Sequence, residues 1–293
     1  MMNGFLNLLK PPGMTSSDAV VRIRRTLSGE KVGHAGTLDP EAAGVLPIMI
    51  GKAARLFDVL ADKEKAYVAE IAFGAATDTQ DAQGRVIATG ENLPSREALL
   101  AALPAFIGDI AQVPPAYSAL KVGGQTAYNL ARRGEMAELA ARPAHVDDIT
   151  LLSWLPPAAA LLRVRCGKGF YVRTLCHDLG AALGCPAHLR FLLRTQSGVF
   201  TIENSVTLEE WQDAPDRAAL LVPPDAPLAH LPLARVSTAY APACRNGNPL
   251  RDFEQLDEAA LQGGFVRVYC GDAFAGLGRY AGGEVRFQAM LME

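Results

Sequence analysis

The middle of the chain contains an apolar pattern with a period of two, followed by one with a period close to 3.6. In residues 159–166 apolar positions alternate with neighbours that include two arginines; the apolar set is Ala160, Leu162, Val164 and Cys166. This alternation is typical of a strand with one buried face. The next apolar positions are spaced as on one face of a helix; they are Val172, Leu175, Cys176, Leu179 and Leu183. They predict a helix that begins at Val172 and that Gly184 ends.

Shorter patterns predict further elements of both kinds. Apolar and β-rich runs indicate strands at 5–9, 46–50, 66–73 and 145–154, and helical spacing indicates helices at about 17–27, 52–60 and 95–106, with a short one ending at 133. Ser16 or Ser17 is the expected N-cap of the first helix. Four glycines and a proline lie between Gly29 and Gly44, which predicts a loop there.

A proline-rich stretch at residues 223–232 divides the chain into two predicted domains. The first covers residues 1–222 and contains a predicted insertion at about 115–143, which carries Lys121, Arg132 and Arg133. Beyond residue 233, apolar runs at 265–269, 273–280 and 285–291 alternate with glycine-rich turns. This arrangement predicts a small β-rich domain over residues 233–293.

The composition is that of a globular protein, with 293 residues of which 49% are hydrophobic and 20% charged. No apolar run reaches the roughly 18 residues of a membrane span, and the first residues lack the basic and apolar segments of a secretion signal. The five cysteines are odd in number and form no CxxC pair. We therefore expect buried free thiols, not disulfides or a zinc site, in a cytoplasmic protein without a membrane segment.

The charge is distributed unevenly along the chain. The net charge of −3 argues against a polyanionic partner. Residues 117–194, however, hold 10 basic and 5 acidic residues, a balance of +5, whereas residues 195–293 hold 7 and 13, a balance of −6. A basic middle segment is compatible with a surface that binds nucleic acid. Charge alone, however, favours the alternative that these basic residues are distributed on several solvent-exposed faces.

Several common motifs are set aside. Gly276–Ala281 fits a loose GxGxxG/A pattern, but it lies among predicted hairpins, and a dinucleotide site needs a following helix. Ser118 and Ser197 do not lie in a GxSxG turn. The five histidines show no metal-ligand spacing. We therefore expect no dinucleotide site and no metal site.

The loop that contains Asp39 is the strongest candidate for chemistry. It presents one carboxylate between apolar neighbours, and Pro40 disfavours helical geometry at Asp39. An aspartate before proline is more often a turn residue. The loop alone leaves both interpretations open.

The sequence of this loop, GHAGTLDP at 33–40, resembles the catalytic motif of the TruB-type tRNA pseudouridine synthases, bacterial enzymes that isomerise a uridine in the TΨC loop of tRNA. Five further blocks follow the order found in that family: KPPGMTS at 10–16, KAY at 65–67, PPAYSALK at 114–121, GKGFYVRT at 167–174 and HLRFLLRTQSG at 188–198. The last block departs from the family pattern at Leu193, where a leucine replaces an arginine and removes one candidate phosphate contact.

The resemblance implies an α+β pseudouridine synthase fold. Its features are a large mixed, mostly antiparallel sheet flanked by helices, an inserted RNA-binding lobe and a small β-rich, PUA-like C-terminal domain. The implied activity is isomerisation of uridine at position 55 of tRNA to pseudouridine, on a flipped-out nucleotide and without a cofactor. The implied partner is the T-arm of tRNA, bound by a monomer.

The resemblance also assigns roles to single residues. Asp39 matches the nucleophilic aspartate, Arg173 the arginine that pairs with it, and Tyr67 the tyrosine that stacks on the target base. The other matches concern substrate binding: Tyr171 and Leu192 in the uridine pocket, His34 in the gap that the flipped nucleotide leaves, and Lys10, Arg132, Arg133, Lys168, Arg190 and Arg194 at phosphates.

Two other functions stay open at this level. A tRNA-binding folding chaperone would keep the same scaffold, with catalysis secondary. A metabolic hydrolase with an aspartate nucleophile would have no affinity for tRNA. The sequence also leaves open which ribose or base atom Asp39 attacks.

Overall fold

The computed structural model describes residues 2–61, 64–118, 120–135 and 139–292. In chain order the strands of this part are β1 (Gly4–Lys10), β2 (Val32–His34), β3 (Ala43–Ile50), β4 (Lys65–Phe73), β5 (Ala75–Thr77), β6 (Val86–Thr89), β7 (Gly108–Gln112), β8 (Lys121–Val122), β9 (Gln125–Thr126), β10 (Arg142–Leu155), β11 (Ala159–Cys166), β12 (Ala187–Ser197), β13 (Phe200–Thr201), β14 (Leu233–Val236), β15 (Gln255–Leu256), β16 (Gly264–Cys270), β17 (Ala273–Ala281) and β18 (Glu284–Met290).

The α-helices of the same part are α1 (Ser16–Arg24), α2 (Phe57–Ala61), α3 (Arg96–Ala102), α4 (Ala127–Arg132), α5 (Val172–Ala182), α6 (Leu208–Asp213) and α7 (Ala241–Asn246). Short 3₁₀ segments occupy Gly51–Leu56, Leu103–Phe106, Ile202–Asn204, Arg217–Leu220, Ala226–Leu228, Thr238–Tyr240 and Glu258–Gln262.

One large sheet forms the centre of the N-terminal part. Its strand order is β1-β3-β12-β4-β11-β10-β7, with β2 beside β3 and β13 beside β12. The pairing of β12 with β3 is parallel, and the other pairings in this sheet are antiparallel. The expected α+β architecture, with a mixed and mostly antiparallel sheet flanked by helices, is therefore confirmed.

The two patterns in the middle of the chain form the core of this sheet. The four apolar positions of β11 are fully buried, whereas Arg163 and Arg165 between them are exposed. Helix α5 packs against β12 and β4, and its Leu175 and Leu179 are fully buried. Each such side chain contributes roughly 1.5–3 kcal/mol through its removal from water. The predicted helix from Val172 is confirmed.

The central strand β12 was not predicted from the apolar pattern. Its pairing with β4 shifts register twice, between Leu189 and Phe191 and between Arg194 and Gln196. Each shift inserts an extra residue and interrupts the period of two. The sequence pattern therefore does not show the alternation by which strands are recognised. The short strand β7 was also missed.

The first helix begins one residue earlier than predicted and ends at Arg24. Its N-cap is Thr15, whose side chain accepts a hydrogen bond from the Asp18 amide at 3.0 Å, while the Asp18 carboxylate accepts one from the Thr15 amide at 3.0 Å. This reciprocal pair is a capping box. It leaves Ser16 free for another contact. The Ser16 hydroxyl binds both backbone groups of Leu38, in the loop before Asp39.

Two other predicted helices are shorter than expected. Residues 52–60 form a 3₁₀ segment that continues into the short α2. Ser95 caps α3 as predicted, with its hydroxyl accepting from the Ala98 amide at 3.1 Å. The helix then tightens into a 3₁₀ turn at Pro104, since proline has no amide proton for the α-helical ladder.

A second sheet, of order β15-β14-β16-β17-β18, lies in the C-terminal part. Leu277 and Ala289 of this sheet pack in one apolar cluster with Phe5 and Leu56 of the N-terminal part. The Arg55 side chain donates to the Met290 carbonyl at 2.5 Å across the same contact. The expected β-rich C-terminal part is confirmed.

Three further expectations concern the cysteines, the inserted segment and membrane-spanning helices. The five cysteines are buried and free, as predicted. Strands β8 and β9 and helix α4 lie within the predicted insertion, of which residues 119 and 136–138 lie outside the described part. Among the described residues, no helix combines the length and apolarity that crossing a bilayer requires.

Candidate active site

A cleft of about 720 Å³ opens beside the loop that contains Asp39. Its lining includes the predicted site residues His34, Asp39, Arg132, Arg173, Arg190 and Leu192. The other walls come from the turn at 79–83, from Tyr117, Ser118 and Tyr128 of the inserted segment, and from the start of α1. Residues from five separate sequence blocks therefore meet around one space.

Backbone and side-chain contacts hold the Asp39 loop on both sides of the carboxylate. The Ser16 hydroxyl accepts from the Leu38 amide at 2.8 Å and donates to the Leu38 carbonyl at 3.0 Å. On the other side, the Gly13 amide donates to the Pro40 carbonyl at 3.0 Å. The Lys10 ammonium also donates to Pro40, at 3.0 Å. The position of Asp39 is thus determined by residues on either side of it.

Arg173 binds the Asp39 carboxylate with two donors. Nε lies 2.9 Å from Oδ2, and Nη2 donates to Oδ1 at 3.1 Å. The guanidinium is itself held, because its other protons reach the carbonyls of Thr79 at 3.3 Å and Tyr117 at 3.0 Å. Such a fork restricts both the direction and the rotation of the carboxylate.

Three influences act on the pKa of Asp39. Burial in the cleft raises the pKa above that of an ordinary aspartate, the Arg173 guanidinium opposes this, and the Asp81 carboxylate raises the pKa further. Asp81 stands 4.0 Å from Nη1 of Arg173. The arginine therefore lies between two carboxylates, of which only Asp39 takes the two-donor contact.

Tyr67 lies on β4 with 7% of its surface exposed. The Arg194 side chain lies near its hydroxyl. Burial raises the pKa of the phenol, Arg194 opposes this, and the negative charge of Asp39 raises the pKa again. Tyr67 is thus within electrostatic reach of Asp39, although it is not part of the cleft lining.

Tyr171 is the N-cap residue of α5, but its side chain makes no capping hydrogen bond. The buried Gln112 holds its backbone instead. The Tyr171 amide donates to Oε1 of Gln112 at 2.9 Å, and Nε2 donates back to the Tyr171 carbonyl at 3.2 Å. Burial raises the pKa of the Tyr171 hydroxyl, and the neighbouring Ser118 side chain opposes this. Gln112 thereby links β7 to the start of the helix that carries Arg173.

His34 ends β2 and lines the cleft, half-buried. Burial lowers the pKa of the imidazole, and the positive charge of Arg194 lowers it further. Within the described part of the chain its Nδ1 is buried without a hydrogen-bond partner. A neutral, planar ring therefore faces the cleft.

Two of the expected phosphate contacts are wrong in this structure because the side chains are buried. Lys10 is fully buried and donates to the carbonyls of Pro11, Met14 and Pro40. Arg194 is 1% exposed, and its guanidinium donates to the carbonyls of Gly36, Thr37 and Val45. Both cations connect backbone segments and present no donor to an external phosphate.

The other expected phosphate contacts lie at the surface. Arg132 and Lys168 are exposed, and Arg132 lies at the cleft. Arg190 also lines the cleft and is paired with Glu70. Arg133 is exposed but paired with Glu135, with Nε 3.0 Å from Oε1, and it is not part of the cleft lining.

Comparison with known proteins identifies the family. Residues 24–172 match the model of the TruB family pseudouridylate synthase (N terminal domain), and residues 173–224 match the tRNA pseudouridylate synthase B C-terminal domain. The chain belongs to the TruB family of pseudouridylate synthases. The resemblance inferred from the six sequence blocks is confirmed, and the protein is an isomerase.

Curated relatives of this TruB-family enzyme cover most of its length. Proteins named tRNA pseudouridine synthase B are 47% identical in Ruegeria pomeroyi, over 85% of this chain and 83% of the relative, and 45% identical in Heliobacterium modesticaldum, over 84% and 81%. One from Alkaliphilus oremlandii is 42% identical over 94% of this chain and 93% of the relative.

Solved structures with the same fold belong to larger assemblies. A chain in a crystal structure of a Cbf5-Nop10-Gar1 complex is 28% identical, with a TM-score of 0.72, over 95% of this chain and 78% of that chain. A chain in an H/ACA RNP bound to a substrate RNA containing 2′-deoxyuridine is 26% identical, with a TM-score of 0.73, over 99% and 85%.

Sequence reasoning missed several residues around the cleft of this TruB-family enzyme. They are Thr79, Asp81, Gln112, Tyr117, Tyr128 and Phe191. None lies in a pattern that indicates chemistry by itself, because each acts through a contact formed only in the fold.

Among the described residues there is no group of three or more histidine, cysteine or acidic side chains placed to hold a metal ion.

Proposed function

We propose that this enzyme isomerises a uridine in the TΨC loop of tRNA, at position 55, to pseudouridine. The observation that carries the proposal is the two-donor contact of Arg173 with Asp39 at the wall of the cleft. The relatives named tRNA pseudouridine synthase B support tRNA as the substrate. Asp39 acts as the nucleophile on a nucleotide that has left its stack.

The reaction exchanges one glycosidic bond for another. The bond from C1′ to N1 of uracil breaks, the ring turns, a bond forms from C1′ to C5, and the proton on C5 is lost while N1 gains one. An aspartate is suited to this chemistry only when it is ionised and shielded from water. Arg173 favours the ionised form and holds both oxygens in place.

The remaining walls provide the environment for the flipped base. Leu192 offers apolar surface in the cleft beside Asp39. Tyr67, which lies outside the cleft lining of the unbound protein, stacks on the base when the nucleotide enters, and Tyr171 closes the pocket. The neutral ring of His34 is suited to fill the gap in the RNA stack. Arg132, Lys168 and Arg190 bind phosphates, and these contacts give a salt-dependent share of the affinity.

The two parts of the chain divide these tasks. Residues 1–222 form the catalytic domain, whose segment at about 115–143 grips the RNA. Residues 233–293 form a PUA-like domain that binds RNA weakly because of its acidic balance. The enzyme acts as a monomer on the T-arm.

The test measures release of tritium from tRNA transcripts labelled at C5 of uridine. Wild type releases tritium from the intact transcript and not from one with cytidine at position 55. Asp39→Asn lowers the rate at least about a thousandfold, the scale of a lost catalytic carboxylate. Asp78→Asn, in the turn outside the cleft lining, is the matched control and keeps the rate. Full activity of Asp39→Asn would overturn the assignment.

A further inference from the structure

The first turn of α5 has no cap from its own N-cap side chain. Tyr171 is the N-cap residue, and a tyrosine there cannot replace the serine, threonine or acidic oxygen that usually accepts from the first amides of a helix. Arg173 is the second residue of this helix, at the end where the helix dipole disfavours a cation. The start of α5 therefore needs another contact to hold Arg173 against Asp39.

Gln112 provides this contact from a different strand. It is the last residue of β7 and is 3% exposed. Its Oε1 accepts from the Tyr171 amide at 2.9 Å, and its Nε2 donates to the Tyr171 carbonyl at 3.2 Å. The same carbonyl accepts the first hydrogen bond of α5, from the Leu175 amide at 3.1 Å. Because one planar amide binds both backbone groups of Tyr171, the point and direction at which α5 begins are fixed relative to β7.

The residue after Gln112 approaches the helix on the other side of Arg173. The Thr174 hydroxyl lies 3.3 Å from the Val113 carbonyl oxygen and 3.3 Å from Oε1 of Gln80. Residues 171 and 174 are therefore both bound to the end of β7, and Arg173 lies between them in the chain. Since the direction of a helical side chain follows the backbone of its own turn, these contacts also direct the guanidinium.

The contact of Arg173 with Asp39 requires this precision. Two donors meet two oxygens, at 2.9 Å and 3.1 Å, and hydrogen bonds weaken steeply when their geometry departs from the optimum. A misplacement of about 1 Å near reacting groups can lower a rate about 100-fold. Gln112 is not part of the cleft lining, so its influence on the reaction passes through the backbone of Tyr171.

We propose that Gln112 is a positioning residue for the isomerisation: by holding both backbone groups of Tyr171, it fixes the first turn of α5 and directs Arg173 onto both oxygens of Asp39. This inference rests on the proposed roles of Asp39 and Arg173. It assigns a functional role to a buried amide outside the cleft.

The experiment compares two buried amides of the large sheet. Gln112→Met keeps the length of the side chain and removes both hydrogen bonds to Tyr171. Asn7→Leu is the matched control, because Asn7 of β1 is 1% exposed, donates from Nδ2 to the Thr201 carbonyl at 2.8 Å and is not part of the cleft lining. Each variant is measured for its Tm, its dissociation constant for tRNA, its single-turnover rate at saturating tRNA and the pH profile of that rate.

We expect both variants to lower the Tm, because each leaves a buried backbone carbonyl without its side-chain donor. Only Gln112→Met lowers the single-turnover rate, by about 10- to 100-fold. The dissociation constant for tRNA stays near that of wild type in both variants, because neither side chain lines the cleft.

The pH profile is a readout that a loss of stability alone does not move. The charged groups that act on Asp39 are Arg173, Asp81 and Lys10, and the Arg173 guanidinium opposes the rise in the pKa of Asp39 that burial causes. When Arg173 is displaced this opposition weakens, so the pKa of Asp39 rises. The acidic limb of the Gln112→Met profile therefore moves to higher pH, whereas the limb of Asn7→Leu stays in place.

A double-mutant cycle with Arg173→Lys tests whether the effect passes through the arginine. Because a lysine cannot form the two-donor contact, Gln112→Met lowers the rate little further in that background. Gln112→Asn is the second variant, for use if Gln112→Met does not fold. It keeps an amide at the site but is one methylene shorter, so it cannot bind both groups of Tyr171, and the same loss of rate is expected.

The proposal fails if the Gln112 variants match Asn7→Leu in rate and pH profile, or if their loss of rate is undiminished in the Arg173→Lys background. Either result leaves tritium release by wild type, and its dependence on Asp39, intact. Failure of the proposed function would instead appear as no release by wild type or as full release by Asp39→Asn. The two failures are therefore distinguishable.

Discussion

Arg173 contacts both oxygens of the Asp39 carboxylate, through Nε at 2.9 Å and Nη2 at 3.1 Å. The two residues are 134 positions apart in the chain. Arg173 is 5% exposed, whereas 38% of the Asp39 side chain faces the cleft. The arginine is therefore fixed within the protein, and the carboxylate it orients is the partner that is open to the cleft.

Arg173→Lys tests the geometry of this contact, because it keeps the charge and removes the second donor. A lysine ammonium is a point charge and cannot hold both carboxylate oxygens in one plane. We expect the single-turnover rate of isomerisation to fall about 100-fold, the scale of one lost preorganised donor. The affinity for tRNA stays near that of wild type. An unchanged rate would show that charge alone is sufficient.

Asp81→Asn tests the second carboxylate beside Arg173. Since the charge of Asp81 raises the pKa of Asp39, its removal lowers that pKa and leaves Asp39 ionised at lower pH. The acidic limb of the pH profile for kcat/KM therefore moves to lower pH. Asp78→Asn, in the same turn, is the control and leaves the limb in place. A shift to higher pH would contradict the assigned electrostatics.

Lys10→Met tests whether this lysine is structural. Its loss leaves the carbonyls of Pro11, Met14 and Pro40 without their donor. We expect a loss of about 1–3 kcal/mol in the free energy of unfolding, measured in urea at pH 7. The salt dependence of tRNA binding stays that of wild type. Lys168→Met, at an exposed lysine, reduces the salt dependence instead.

The stability of the same variant depends on pH in a defined direction. Burial lowers the pKa of Lys10 from 10.5 to about 8. Between these values the unfolded chain holds more protons on this residue than the folded chain, so folding becomes more favourable as pH rises. The difference in unfolding free energy between wild type and Lys10→Met is therefore constant below about pH 8 and grows toward pH 10.5. Urea unfolding at pH 7 to 10 would reveal a constant difference if the ammonium were solvated.

Arg194→Gln tests the buried cation that reaches Tyr67 and His34. Because the charge of Arg194 lowers the pKa of His34, its removal raises that pKa toward the ordinary value. An NMR titration of the imidazole protons measures this shift, with His34→Asn used to assign the signal. Arg194→Lys keeps the charge and is expected to leave the pKa of His34 low. Equal titration in wild type and Arg194→Gln would exclude the interaction.

The pattern of apolar and polar positions in the sequence predicted a large part of the fold. Strand β11 and helix α5 follow directly from apolar positions with periods of two and 3.6, because burial on one face imposes those periods. The prediction failed at β12, where two bulges interrupt the period. It also predicted the wrong N-cap for α1. Ser16 and Ser17 are both suitable cap residues by type, but Thr15 is the N-cap because it forms a reciprocal pair of hydrogen bonds with Asp18.

The sequence by itself determined the family, through six short blocks in a fixed order, and it named Asp39 and Arg173. Only the tertiary structure decided which cations reach solvent: Lys10 and Arg194 are buried against backbone carbonyls, and Arg132 lies at the cleft. It also brought Asp81 to the pair of Asp39 and Arg173 and turned Phe191 outward. The physical reason is that local patterns record burial along one element, whereas the surroundings of a charge depend on segments that converge from distant parts of the chain.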